Sequence, residues 1–143
     1  MSESKVESAM VELDAGGRAS VHAMPELKGY HAHLYSTSPD SSAGGDPELT
    51  EIYARAGREL DGVQVGRLHH EPIGPHPRKM FQLAFSRADI VFMLPWLIEH
   101  RAAHSVLIHP VLGNALLEHT EAALWLGPPL ELDVSLFGDH HSA

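Results

Sequence analysis

Tyr30-His31-Ala32-His33-Leu34-Tyr35 is the stretch whose reading decides the fold. Successive side chains of a β-strand point to opposite faces, so Ala32 and Leu34 fall on one side and His31, His33 and Tyr35 on the other. The apolar pair belongs beneath covering helices, which leaves the polar trio to the opposite face.

Working outward, the Ser/Gly/Pro/Asp loop at 36–45 ends at a helix start: Asp46 caps, Pro47 suits the first helical position and Glu48 favours the positive end of the dipole. Leu49, Ile52, Tyr53, Ala56 and Leu60 recur at helical spacing and predict one apolar stripe. A second strand is expected at Val63 to His69 and a third from about Met80 to Phe85. A helix capped by Ser86 or Asp89 then runs to about Arg101, with a kink or break at Pro95. Ser105 to His109 reads as the fourth strand, ended by Pro110.

The order βαββαβ is the ferredoxin-like split unit, in which every neighbouring strand is antiparallel and both helices lie on one face. An additional helix from Asn114 through Leu126, stopped by Gly127-Pro128-Pro129, and a last alternating strand at Leu130 to Leu136 complete an α+β fold. The domain boundaries that follow are an N-terminal extension at 1–28, partly disordered with one short helical or extended piece, a domain at 29–136 and a C-terminal tail at 137–143.

Strand parity sorts the histidines. Phe81, Leu83 and Phe85 go to the helix-covered side and Gln82 to the other; Val106 and Ile108 go inward, and Leu107 and His109 to the open face. The second strand does not decide, since Val63, Val65, Arg67 and His69 share one parity against Gln64, Gly66 and Leu68. Antiparallel neighbours place the start of the first strand beside the end of the fourth, so His31, His33 and His109 form a compact group. Three facial nitrogens, or two with a carboxylate from Glu71 or Glu118, leave open positions on a six-coordinate metal. A lone strand histidine is as readily a surface or hydrogen-bonded residue, and the weight here comes from three arriving together.

The connection Gly66-Arg67-Leu68-His69-His70-Glu71-Pro72-Ile73-Gly74-Pro75-His76-Pro77 is longer than chain reversal needs. Pro75 and Pro77 restrict the backbone on both sides of His76, which suits an acid/base group, a substrate contact or simply a stiff turn. His119, beside Glu118 on the third helix, reads as orienting a ligand ahead of being one. His100 and His104 flank the end of the second helix, where a cation favours the dipole.

The 143 residues contain 12 histidines and no cysteine, so thiolate metal sites, disulfides and cysteine nucleophiles are excluded. A metal held by His, Asp or Glu suits Fe(II), Zn, Mn or Ni. A net charge of -9 offers no footprint for nucleic acid or an anionic membrane. The start Met1-Ser2-Glu3-Ser4-Lys5 lacks a signal-peptide pattern and no apolar run approaches a membrane span, which predicts a soluble cytoplasmic protein. Leu107 on an open face predicts a homodimer covering it.

Tyr30-His31-Ala32-His33-Leu34-Tyr35, Gly66-Arg67-Leu68-His69, Gly74-Pro75-His76-Pro77, Met80-Phe81-Gln82, Pro95-Trp96-Leu97, His109-Pro110, Glu118-His119 and Ala123-Leu124-Trp125-Leu126-Gly127, in this order, together resemble the DOPA 4,5-dioxygenase family. The resemblance covers about residues 29–136. It implies extradiol cleavage of L-DOPA or a related small catechol by a non-haem Fe(II) enzyme using O2, on a small dimeric ferredoxin-like fold. Zinc or another divalent metal is an alternative occupant of a purified sample. Carried over, the family's His-x-His is His31 and His33, its Gly-Pro-His-Pro histidine is His76 and its His-Pro histidine is His109. His31, His33 and His109 are then expected to hold the metal and His76, which could exchange roles with any of them, to handle a substrate proton or bound oxygen. Beside this, Tyr35, Arg67, His69 and Gln82 are the expected substrate-binding residues. Arg78 is a further candidate for a substrate carboxylate. The reading from another class is a non-catalytic ferredoxin-like dimer that binds a small molecule or metal.

Overall fold

The computed structural model describes residues 9–13, 19–23, 27–39 and 45–141. The disorder expected within the N-terminal extension lies outside the described residues, as do residues 40–44 of the Ser/Gly/Pro/Asp loop. Within the extension, β1 (Ala9–Leu13) and β2 (Ala19–Ala23) pair antiparallel.

The main sheet is built from β3 (Tyr30–Tyr35), β4 (Gln64–Val65), β5 (Met80–Phe85), β6 (Val106–Pro110) and β7 (Leu124–Leu126). Its order is β4-β5-β3-β6-β7 with every pair antiparallel, which is the expected split-unit order with β7 added beyond β6. The fold is α+β and ferredoxin-like. Helix α1 (Pro47–Glu59) begins as expected, the Asp46 carboxylate accepting from the Leu49 amide at 3.0 Å. Helix α2 (Ile90–His100) follows a 3₁₀ turn, Arg87–Asp89; neither Ser86 nor Asp89 caps with its side chain, and the helix continues unbroken through Pro95.

Parity holds on the three central strands. Ala32, Leu34, Phe81, Leu83, Phe85, Val106 and Ile108 form one core with Leu49, Ile52 and Ala56 of α1 and Met93, Trp96 and Leu97 of α2. Strand β4 is shorter than expected, and its register explains why parity failed there. Gln64 faces Ala84 and Val65 faces Leu83, but His69 bridges to Met80, so the β4 side carries one extra residue. Such a bulge flips every later side chain to the other face. Leu68 accordingly packs on the helix-side core, and His69 comes opposite Met80 on the histidine side.

The C-terminal third departs from the sequence reading. Helix α3 (Ala115–His119) ends after five residues, and the segment expected to continue it becomes β7, paired with β6 through Leu126↔Val106 and Trp125↔Leu107. Leu130 to Leu136 is not a strand: it runs as a strap into a 3₁₀ segment, Val134–His141, which also takes in most of the expected C-terminal tail. Ala123, Trp125, Leu130 and Leu132 pack on Tyr35, Met80 and Leu107. The histidine face is therefore closed by the chain itself; Leu107 is wholly buried, and the exposed-leucine reason for expecting a dimer does not apply.

Gly29, immediately before β3, tests how tightly the His31 end of the sheet is built. A Cβ placed there would lie 2.6 Å from the Phe85 carbonyl oxygen, a backbone atom that cannot move without shifting β5. Gly29→Ala is expected to destabilise the protein by about 2 kcal/mol or more in urea unfolding. A variant as stable as the parent would show that the strand ends are not in close register.

Candidate metal centre

His31 and His109 stand directly opposite each other across β3 and β6, and His33 lies two residues along on the same face. The ring centroids of His31 and His109 are 5.2 Å apart, and those of His33 and His109 are 5.3 Å apart. Among the described residues, one ligand nitrogen from each of His31, His33 and His109 lies within 4.8 Å of the others. The trio expected from strand parity is thus brought together.

Two further histidines join them. His76 reaches in from the Pro75-Pro77 turn, its ring centroid 4.2 Å from that of His33. His119 at the end of α3 stands 4.5 Å from His109 and 5.7 Å from His76, with Phe137 of the 3₁₀ segment 5.1 Å away. His33, His76 and His119 make a second group within ligand spacing, and His109, Glu118 and His119 a third. Sequence reading underweighted His119 because strand parity says nothing about a helix; the available signal was Leu116, three residues earlier on the same helix face.

Burial disfavours the charged form of His31, His33, His76 and His109. Desolvation, with smaller contributions from neighbouring histidines, pushes His76 down to about 3 and leaves His33 well below the ordinary histidine range. His109 is pushed down to about 4, again chiefly by burial. His31, half-buried, is lowered less severely, with Glu118 opposing the effect of desolvation.

Hydrogen bonds assign the ring nitrogens different tasks. Nδ1 of His109 donates to the Pro110 carbonyl at 2.9 Å and Nδ1 of His119 to the Ala115 carbonyl at 2.7 Å. In a neutral ring this leaves the Nε2 lone pair free, the arrangement of a metal ligand. His76 is the reverse case. Its Nδ1 lies 2.6 Å from the Tyr35 hydroxyl, which has no other partner among the described residues and is held protonated by burial. The phenol therefore donates, and the His76 proton sits on Nε2.

The arrangement fits a divalent transition metal. Nε2 of His33 is 3.2 Å from Nε2 of His109, a spacing that two nitrogens each ~2.1 Å from one ion adopt near a right angle. Nδ1 of His33, buried, has no hydrogen-bond partner among the described residues; ligation through Nε2 puts the ring proton on Nδ1, so the facing Nε2 pair is the observation that favours a cation. The donors are all neutral nitrogens, which suits iron, zinc, copper or nickel better than calcium or magnesium.

Glu118 is not a straightforward ligand. Its Oε2 accepts from the Leu112 and Gly113 amides at 2.7 and 2.9 Å, and its Oε1 lies 3.9 Å from the Nδ1 side of His109, away from Nε2. A carboxylate there pins the β6–α3 turn and orients His109. Glu71 is exposed on the loop and joins none of the three groups.

The remaining sequence candidates separate. Gln82 faces His33 across β3 and β5 on the histidine side. Tyr35 is wholly buried behind His76, so it is placed to hold that ring and not to touch a substrate. Arg67 and His69 lie in the wall of a cleft formed by residues 67–73 that contains none of the clustered histidines, although His69 is close enough to His76 to oppose its protonation. Arg78 is occupied by the Ser36 and Thr37 carbonyls.

Comparison with known proteins finds a matching family and related sequences and structures. Residues 30–136 match the model of the Dopa 4,5-dioxygenase family. An uncharacterised 21.2 kDa protein from Botryotinia fuckeliana is 38% identical over 94 residues, covering 60% of this chain and 51% of that protein. A DOPA 4,5-dioxygenase from Amanita muscaria is 23% identical over 113 residues, covering 77% of this chain and 50% of that protein. The chain spans about half the length of these curated relatives. The crystal structure of a candidate dioxygenase from Nostoc punctiforme superposes with a TM-score of 0.66 at 34% identity, covering 80% of this chain and 95% of that one. By its sequence over the whole of the sheet and its histidine face, this chain belongs to the Dopa 4,5-dioxygenase family.

Proposed function

We propose that this chain is an Fe(II)-dependent extradiol dioxygenase for a small catechol, with His31, His33 and His109 as the metal ligands. The observation that carries the reading is the convergence of three uncharged imidazoles from neighbouring strands, backed by a fourth that is held as a hydrogen-bond donor. Ligation from one side leaves positions for two catechol oxygens and dioxygen. Iron, when bound, supplies the electron transfer between an aromatic ring and O2 that no amino-acid side chain provides. One ring carbon–carbon bond beside the hydroxyl pair breaks and both atoms of O2 enter the product, so no other reductant is consumed.

The protein's own part is proton placement and exclusion of water. His76 presents Nε2–H to the site, where it can donate to an oxygen atom that gains negative charge as the ring opens. Tyr35 fixes that tautomer from behind, and the strap fixes the turn, the Asp133 amide donating to the Pro75 carbonyl at 2.8 Å. Gln82, opposite His33, supplies an uncharged amide beside the ligands. His119, its Nδ1 tied as that of His109 is, is the alternative ligand through its own groups, with His33 and His76 or with His109 and Glu118.

Anaerobic loading with Fe(II), addition of L-DOPA and simpler catechols, and admission of air is expected to give oxygen uptake with a yellow ring-opened product. No uptake with any catechol would sink the assignment. His33→Ala and His109→Ala are expected to lose bound iron, while His76→Gln retains it and loses turnover by about 10²-fold or more. Should His31→Ala keep its iron and His119→Ala lose it, the third ligand is His119.

Tyr35→Phe is expected to keep iron content and to slow turnover at least about tenfold, because His76 then exchanges tautomers. Unchanged turnover would remove Tyr35 from the mechanism.

Acid should unfold the metal-free protein early. His76 and His109 have folded-state values near 3 and 4, below the ordinary 6.5 of an unfolded chain. Between these limits the unfolded chain binds more protons, so stability present above about 6.5 is lost as pH falls towards 4. The urea midpoint should drop across that window, and His76→Gln should flatten the drop; a midpoint constant from pH 7 to 4 would contradict the burial of neutral imidazoles.

A further inference from the structure

Two clefts lined by described residues differ in their relation to the histidine cluster: one reaches it and the other does not. A cleft of about 360 Å³ opens at the start of β3, and His31 stands in its wall. The cleft at residues 67–73, about 420 Å³, is bounded by its own loop and includes no candidate ligand. His33, His76 and His109 are all buried, so His31 is the member of the proposed triad that remains half-exposed.

Register shows what floors the first cleft. His109, His31, Ala84 and Gln64 form one row across β6, β3, β5 and β4, all on the histidine side. Gly29, two residues before His31, and Ser86, two residues after Ala84, share that side and also line the cleft. Beside the ligand row, then, the sheet carries small side chains, and a flat ring can lie on the backbone there without displacing a large residue. Gln64 offers an amide at one margin. Lys28, exposed, is the cation in the lining, which contains no carboxylate.

We propose that this cleft is the substrate pocket, with the catechol ring lying over Ala84, its hydroxyl pair directed towards His31, and an anionic substituent on the ring met by Lys28. This rests on the metal-dependent catechol reading above. It moves the substrate away from Arg67 and His69 to the opposite end of β5. The far end is closed by the Tyr35–His76 pair and the strap, so approach is from the His31 side. Ala84 sets the thickness of ring the pocket admits, and Lys28 favours catechols bearing a carboxylate over neutral ones of the same size.

The test uses the full chain loaded anaerobically with Fe(II), with 4-nitrocatechol binding followed by its visible spectrum and iron content measured separately. Ala84→Leu is expected to retain parent iron content and to bind 4-nitrocatechol at least about tenfold more weakly. Lys28→Ala, an exposed position that leaves folding untouched, is expected to weaken 3,4-dihydroxyphenylacetate by about fivefold to tenfold in competition and to leave 4-methylcatechol unchanged. Parent-like 4-nitrocatechol binding by Ala84→Leu with full iron overturns this pocket while leaving the catechol reading intact. So does a loss on substituting Arg67 with none at Lys28. If the iron-loaded parent protein binds no catechol, the catechol reading itself fails and the pocket assignment with it.

Discussion

A sheet face that carries imidazoles has to be kept dry without leaving their nitrogens stranded, and most of the structure follows from that constraint. Unpaired polar groups are costly away from water. Here the Pro110 carbonyl takes the His109 proton, the Tyr35 hydroxyl satisfies His76, and the Ala115 carbonyl takes the His119 proton. What is left is the facing pair of His33 and His109 nitrogens and the unpartnered Nδ1 of His33. A cation would resolve the first of these, the facing Nε2 pair, while Nδ1 would keep the His33 ring proton. Elsewhere on the face Leu107, Met80 and Trp125 make the cover apolar.

The cover is not symmetric along the strands. At the Tyr35 end the structure is tied several times over. His104, fully buried, donates from Nδ1 to the Tyr35 carbonyl at 2.8 Å and reaches Glu48 of α1 with Nε2 at 3.1 Å. The Ser36 amide donates to the Lys79 carbonyl at 2.8 Å, and Arg78 bonds the next two carbonyls. At the His31 end the chain is small and open, with Gly29 against Phe85 and Ala84 beside His31. A rigid closed end that positions a donor and an accessible end that admits a ring are complementary halves of one site.

Much of this was legible in Tyr30 to Tyr35 and in Val106 to His109, because period-two alternation is a local signal and both strands are long enough to show it. The His31–His109 pairing followed from antiparallel order alone. Three features were not legible. The extra residue between Gly66 and His69 leaves no compositional mark beyond a glycine, yet it reverses the faces of Leu68 and His69. Ala122, Ala123 and Leu124 are strong helix formers, and tertiary contacts override them: Trp125 stacks 5.9 Å from Tyr35 and Leu126 pairs with Val106. The alternation at Leu130 and Leu132 was real, since both pack under the sheet, but it supplied a buried stripe without a ladder partner.

The bulge also explains how one short connection can serve both faces of the sheet. Without it, the parity that sends Val65 into the helix-side core would send Arg67 and His69 after it, burying charge under α1. With it, Leu68 takes the apolar position and His69 comes opposite Met80 beside the histidine cluster. Gly66 sits at the transition, its amide donating to the Gln82 carbonyl at 2.8 Å, and a Cβ there would approach that oxygen to 3.2 Å. The position therefore favours a residue with no side chain. The Pro75-His76-Pro77 turn is reached only after that reset, so the placement of His76 depends on the one-residue slip as much as on its two prolines.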